Sequence, residues 1–292
     1  MTPHVLAEKM LASCTLRVEI DNAAQGTAFF VAPGYAITAA HVVGGSCGTG
    51  VHLHGPLSSW TGHVVEVRPE VRGDAPAAGR LAPPPDVALI QIAGGATHSC
   101  VLLGDRGIAT GTPVLARGYT RSFGDQEVTA ETESFAVTGE LETADPGCTL
   151  LKLGSGQAAR GMSGAPVLSL HTGEVIGMVR SSRDTATSLG AWVVPAGVIR
   201  GLWPQQVGDG HDGFHRQDRR WRWAARSLAS AAAADGLDRS PAQQGGVAIG
   251  TIHGGGPVTI ISGGQFRDVH IGTARPDHDH EQGQPGAADG RR

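Results

Sequence analysis

No apolar run in this 292-residue chain approaches the roughly twenty residues that cross a bilayer as a helix. Charge is scarce too. Only 17% of residues are charged and the formal net charge is −4, which leaves no basic face for nucleic acid or for an acidic membrane surface. The four cysteines, Cys14, Cys47, Cys100 and Cys148, are scattered and lack the CxxC spacing of zinc ligands. They read as reduced, small buried hydrophobes, and no metal or other cofactor is expected. No lipoprotein-type leader is expected either. Leu11-Ala-Ser-Cys14 has the form of a lipoprotein cleavage box, but Glu8 and Lys9 interrupt the apolar stretch that must precede one. The chain reads as cytoplasmic.

What is abundant is turn chemistry. The 44 glycines and 17 prolines punctuate short apolar runs, the composition of an all-β protein with many tight connections. Candidate strands fall at 15–20, 27–31, 35–38, 51–53, 61–67 and 87–92. After a break near Gly94-Gly95, a second set falls at 114–119, 126–140, 149–153, 165–168, 174–180 and 189–194. Two groups of six predict two six-stranded antiparallel β-barrels with the active site in the cleft between them. Pro195 to Trp203 reads as a short closing helix with proline near its start. Residues 1–204 would form this domain. Residues 205–244 read as linker carrying an alanine-rich helix over 221–234, residues 245–273 as a small β-prone Gly/Val/Ile-rich motif, and 274–292 as a polar disordered tail.

Three segments in fixed order carry chemistry: Ala36-Ile-Thr-Ala-Ala-His41, then Pro85-Asp86-Val-Ala-Leu-Ile90, then Gly161-Met-Ser163-Gly-Ala-Pro166. A serine hydroxyl needs a base within hydrogen-bond reach, and the base needs an acid that fixes its tautomer and steadies its cation. His41 follows a run of small and apolar residues and would sit at a strand end. Asp86 opens a strand after three prolines, where a buried carboxylate would bond the Nδ1 of His41. Ser163 lies in Gly-x-Ser-Gly, whose glycines permit a sharp turn that points the hydroxyl outward. That turn would aim the amides of Gly161 and Ser163 at a developing oxyanion. His52, His54 and His63 compete for the base and Asp74 and Asp105 for the acid, without a comparable strand-end setting.

With Gly26-Thr-Ala-Phe-Phe-Val31 and Gly173-Glu-Val-Ile-Gly-Met178, these segments resemble a trypsin-like serine peptidase of the chymotrypsin superfamily, in the style of its bacterial HtrA branch. The resemblance covers about residues 12–203. It implies hydrolysis of peptide bonds in a protein or peptide substrate, through an acyl-enzyme and without a cofactor. Ala165 stands where the family usually has a second glycine. Met162 stands where digestive members carry the aspartate that pairs with a new N-terminus, and no PDZ-like domain follows. By the same resemblance Gln157 would floor the primary pocket, with Arg180, Ser181 and Ser182 along its wall and Arg160 and Arg183 nearby. A neutral floor argues against strict preference for lysine or arginine.

Residues 246–272 hold three β-branched patches bounded by glycine. Such short strands cannot bury a core alone. They would stack with copies of themselves, pack on the barrel as a hairpin, or stay unstructured. The segment loosely resembles the amyloid signalling motifs at the ends of some bacterial effectors, which implies self-assembly or a sensor-protein partner. Two functions from different classes follow: a cytoplasmic serine endopeptidase used as an effector, or a catalytically weak trypsin-fold module for binding or assembly.

Overall fold

Short β-branched runs between turn residues become strands because they suit a pleated, half-buried surface. The computed structural model describes residues 2–70, 83–95, 98–104, 108–120, 128–143, 148–184, 186–187 and 189–234. An opening helix α1 (Pro3–Ala12) is followed by β1 (Thr15–Ile20), β2 (Ala23–Ala32), β3 (Tyr35–Ala39), β4 (Gly50–His54), β5 (Ser59–Arg68) and β6 (Val87–Ile92). The second set is β7 (Pro113–Thr120), β8 (Thr129–Glu142), β9 (Thr149–Gln157), β10 (Pro166–Ser169), β11 (Val175–Ser182) and β12 (Leu189–Pro195). Each set closes into a six-stranded barrel, in the orders β1-β2-β3-β6-β5-β4 and β10-β11-β12-β9-β8-β7. The expected all-β architecture of two antiparallel barrels is the one observed.

Burial explains the strand composition. β6 leaves only Gln91 exposed and buries its other five residues, so it reads as one continuous apolar run. Phe29, Ile37, Leu53, Leu89 and Ile90 belong to the core on the first barrel's side, and Phe135, Val137, Leu151, Leu153 and Val193 to that of the second. β3 pairs with β6 from Tyr35 opposite Gln91 to Ala39 opposite Val87. That register brings the ends of the two strands together where His41 and Asp86 emerge.

The closing helix is present as α2 (Ala196–Leu202). The expectation of a polar linker from residue 205 needs correction. A π-helical turn (Pro204–Asp209), α3 (Gly210–Gln217) and α4 (Arg220–Ala234) continue directly from α2. Their composition is polar, but their inward positions are not: Val207, Trp221, Ala224, Ala225 and Leu228 join the same apolar cluster as the first barrel. Both buried indoles find acceptors, Trp203 Nε1 donating to Glu66 Oε2 at 2.6 Å and Trp221 Nε1 to the Gly173 carbonyl at 3.0 Å. Residues 235–292, including the segments 245–273 and 274–292 read above as a β-prone motif and a tail, lie outside the described residues.

α3 is pinned to the segment joining the barrels by two buried histidines. Leu103 N donates to His211 Nε2 at 2.9 Å, and His215 Nε2 meets the Val101 carbonyl at 2.9 Å. Burial, the leading cause in both, pushes the His211 imidazole down to about 4 and lowers His215. Unfolded, such histidines bind a proton near pH 6.5. The folded chain therefore binds fewer protons below that pH. Its stability is full above about 6.5 and declines as pH falls toward the folded value near 4. Thermal melts of the full chain should show a midpoint several degrees lower at about pH 5 than at about pH 7. His211→Gln should flatten that fall. An equally steep fall in the variant would assign the acid lability to another group.

Candidate active site

The site is assembled from three turns, each with a local cause. β3 ends at Ala39, and a 3₁₀ turn (Ala40–Val43) presents His41 with its side chain 25% exposed. Asp86 precedes β6 in a left-handed conformation, φ 59°, which a short polar side chain tolerates better than most. Its carboxylate is fully buried and meets His41 twice. Asp86 Oδ2 lies 2.7 Å from His41 Nδ1, Oδ1 accepts from His41 N at 3.1 Å, and the Asp86 carbonyl accepts from Ala40 N at 3.1 Å. The carboxylate thus holds both the ring and the backbone of His41. With Nδ1 held by the carboxylate, Nε2 is the ring nitrogen left without a hydrogen bond among the described residues.

Ser163 comes from the second barrel. Met162 N donates to the Ala159 carbonyl at 3.1 Å with Gly161 at φ 104°, the positive value a type II turn demands of its third residue. A Cβ at Gly161 would run into the Tyr119 carbonyl, so glycine is required twice over. Among the described residues the Gly161 and Ser163 amides have no acceptor, which leaves two donors beside the Ser163 hydroxyl. No hydrogen bond joins His41 to Ser163 in this structure. Free enzymes often hold this pair loosely until substrate arrives.

The remaining sequence candidates separate. His54 is engaged with Glu19 at 3.1 Å and Ser59 at 3.0 Å, and His52 and His63 project from β4 and β5 to the surface. Asp74 and Asp105 lie outside the described residues. Gln157 is exposed at the end of β9, opposite Leu189 and Gly190 of β12. Ser181 and Ser182 stand on β11 opposite Trp192 and Ala191. Arg183 crosses over the Trp192 ring at 5.7 Å, and Arg160 lines a small cavity with Tyr119, Gln25 and Gly161. Arg180 departs from its expected place on a pocket wall. Its side chain is only 9% exposed and turns inward, with Nε 3.5 Å from Asp86 Oδ2. Burial lowers the guanidinium from its usual range, and the Asp86 charge opposes that.

A family model described as the trypsin-like peptidase domain matches residues 26–178, more than half of the chain. The chain belongs to the trypsin-like peptidases. No curated protein matches its sequence. Among solved structures, the Rv3671c protease of Mycobacterium tuberculosis is similar in fold. An inactive serine-to-alanine form superposes with a TM-score of 0.53 at 18% identity, covering 71% of this chain and 94% of that one. The active form gives 0.51 at 19% identity, covering 71% and 87%. An HtrA-type protease, AlgW with a decapeptide, gives 0.54 at 16% identity, covering 72% and 69%. At these identities the likeness is one of fold.

One residue whose role sequence reading did not assign ties this candidate site together. Thr27 of β2 is fully buried and uses every polar atom it has. Its N donates to the Ser163 carbonyl at 2.9 Å, and its hydroxyl donates to the Gly161 carbonyl at 2.8 Å and accepts from Tyr119 N at 2.9 Å. Its carbonyl accepts from Thr38 Oγ1 at 2.6 Å. Gly164, at φ 91°, packs so closely that any Cβ there would collide with that carbonyl. The signal in the sequence was the Gly26-Thr27 pair itself, whose role depends on a partner more than a hundred residues away. Thr27→Val should keep the shape but strand the Gly161 carbonyl and the Tyr119 amide. The cost is about 1–3 kcal/mol of stability in a denaturant titration, with a larger fractional loss in the rate of Ser163 modification. Thr27→Ser should retain most of both. A Thr27→Val enzyme modified at the wild-type rate would show that the turn keeps its shape unaided.

Proposed function

We propose that the chain is a serine endopeptidase in which His41, Asp86 and Ser163 form the catalytic triad. The observation that carries this reading is the 2.7 Å contact between His41 Nδ1 and the buried Asp86 carboxylate, together with the unengaged Gly161 and Ser163 amides beside the Ser163 hydroxyl. In the reaction, Ser163 Oγ attacks the scissile carbonyl while His41 Nε2 takes its proton, and Asp86 steadies the resulting imidazolium. The carbonyl oxygen, now negative, receives the Gly161 and Ser163 amides. His41 passes the proton to the departing amine, then activates water to release the acyl group and restore the hydroxyl. Past Val179, β11 pairs with β12 on one side, and its other edge is suited to bind an extended peptide by strand addition. Gln157, Ser181 and Ser182 would line the primary pocket as neutral groups.

A fluorophosphonate probe tests the reading directly. It should label the wild-type chain and leave Ser163→Ala untouched. His41→Ala should slow labelling by several orders of magnitude, and Asp86→Asn by roughly 10⁴ through the wrong tautomer. Near wild-type labelling of Asp86→Asn would remove that residue from the triad. A folded wild-type chain that takes no probe in any assembly state would favour the binding or assembly module instead.

The same reading makes the protease a cytoplasmic bacterial effector controlled through 245–273, by self-assembly or by a sensor partner. Its support is the run of glycine-bounded β-branched patches in that segment. A chain lacking 245–292 should keep its fold and probe labelling but lose clustering in a size-distribution measurement. A truncated chain that unfolds would make the segment part of the domain.

A further inference from the structure

The register of β11 against β12 slips between Val179 and Ser181, so Arg180 is the extra residue of a β-bulge. Bulges beside active sites re-aim side chains, and this one turns a long cationic chain away from the cleft surface into the interior. There the guanidinium meets a carboxylate that already serves His41. Asp86 Oδ2 is shared: His41 Nδ1 lies 2.7 Å from it and Arg180 Nε 3.5 Å. The first is a hydrogen bond, the second an ion-pair contact without hydrogen-bond geometry.

We propose that Arg180 is a positioning residue of the catalytic machinery, which holds the Asp86 carboxylate and tempers its charge so that His41 remains an unprotonated base to lower pH than an unaccompanied aspartate would allow. The inference rests on the triad reading above. When His41 takes up a proton, the carboxylate must balance two cations, and the imidazolium is held less tightly than it would be alone. A buried setting leaves this competition poorly screened. Among the described residues, Asp86 enters two ion pairs, with His41 from the turn after β3 and with Arg180 from β11. Among the described residues, the Cys148 thiol, which immediately precedes β9, also lies in the field of Arg180.

The experiment is the pH dependence of the second-order rate of fluorophosphonate labelling, measured on the full chain for wild type, Arg180→Met, Arg180→Gln and Arg180→Lys. Methionine keeps the volume without the charge, glutamine gives a polar neutral alternative should methionine impair folding, and lysine restores the cation. The acid limb of the profile should move up by roughly one pH unit in the neutral variants and stay near its wild-type position in Arg180→Lys. A purely structural role would lower the rate at all pH values and leave the limb where it is, and that outcome overturns the proposal. So does a lysine variant that shifts as far as methionine. Should even the wild-type chain refuse the probe, the peptidase reading fails by itself. The inference is then decided by NMR titration of the His41 Cε1 proton, assigned by its loss in His41→Gln. Equal midpoints in wild type and Arg180→Met would sink it; a higher midpoint in Arg180→Met would sustain it.

Discussion

The buried hydroxyl of Thr27 is the contact on which the site depends. His41 and Asp86 come from one barrel and Ser163 from the loop before β10 of the other, so a rigid tie between the barrels matters more to their arrangement than either barrel's own packing. Thr27 N and Oγ1 grip the carbonyls of Ser163 and Gly161 at 2.9 and 2.8 Å, on both sides of Met162. Those grips turn two carbonyls of the serine loop inward. Its Gly161 and Ser163 amides are left without an acceptor among the described residues. The preorganised donors of the cleft are in this sense the counterpart of the inward carbonyls. Met162, buried between them in the second barrel's core, anchors the loop by packing where digestive relatives are expected to use charge.

The electrostatics of the cleft converge on one carboxylate. Asp86 is removed from water entirely, and a lone charge there would be costly. It is met by the His41 amide, the His41 ring and the Arg180 guanidinium. The first two come from the barrel that carries Asp86 and the third from the other barrel. The carboxylate is therefore a second point at which the two halves register, and the charge of Arg180 is part of the surroundings of the His41–Asp86 pair.

The helices after β12 extend this logic to the rest of the chain. α4 places Trp221, Ala225 and Leu228 into the larger apolar cluster, which takes in the first barrel and α1, while His211 and His215 of α3 satisfy backbone groups at Leu103 and Val101. Those residues lie in the segment that leads from one barrel to the next. The helices brace the connection between the barrels.

Local pattern was enough for most of the strands and for the triad candidates. β-branched runs between glycines and prolines mark strand positions without any knowledge of partners; His41 follows one such run, Asp86 opens another, and Ser163 sits in a glycine turn. The sequence also determined where glycine was unavoidable, as at Gly161. Tertiary structure alone decided what depended on distant partners. Arg180 looked like a wall of the pocket because its spacing from Ser163 says nothing of a bulge that turns it toward Asp86. Residues 205–220 looked like linker because average polarity conceals one buried face, which exists only once the barrel is there to cover it. The Gly26-Thr27 pair was visible but its role was hidden for the same reason: a threonine declares its hydrogen bonds only when the fold brings the serine loop against it.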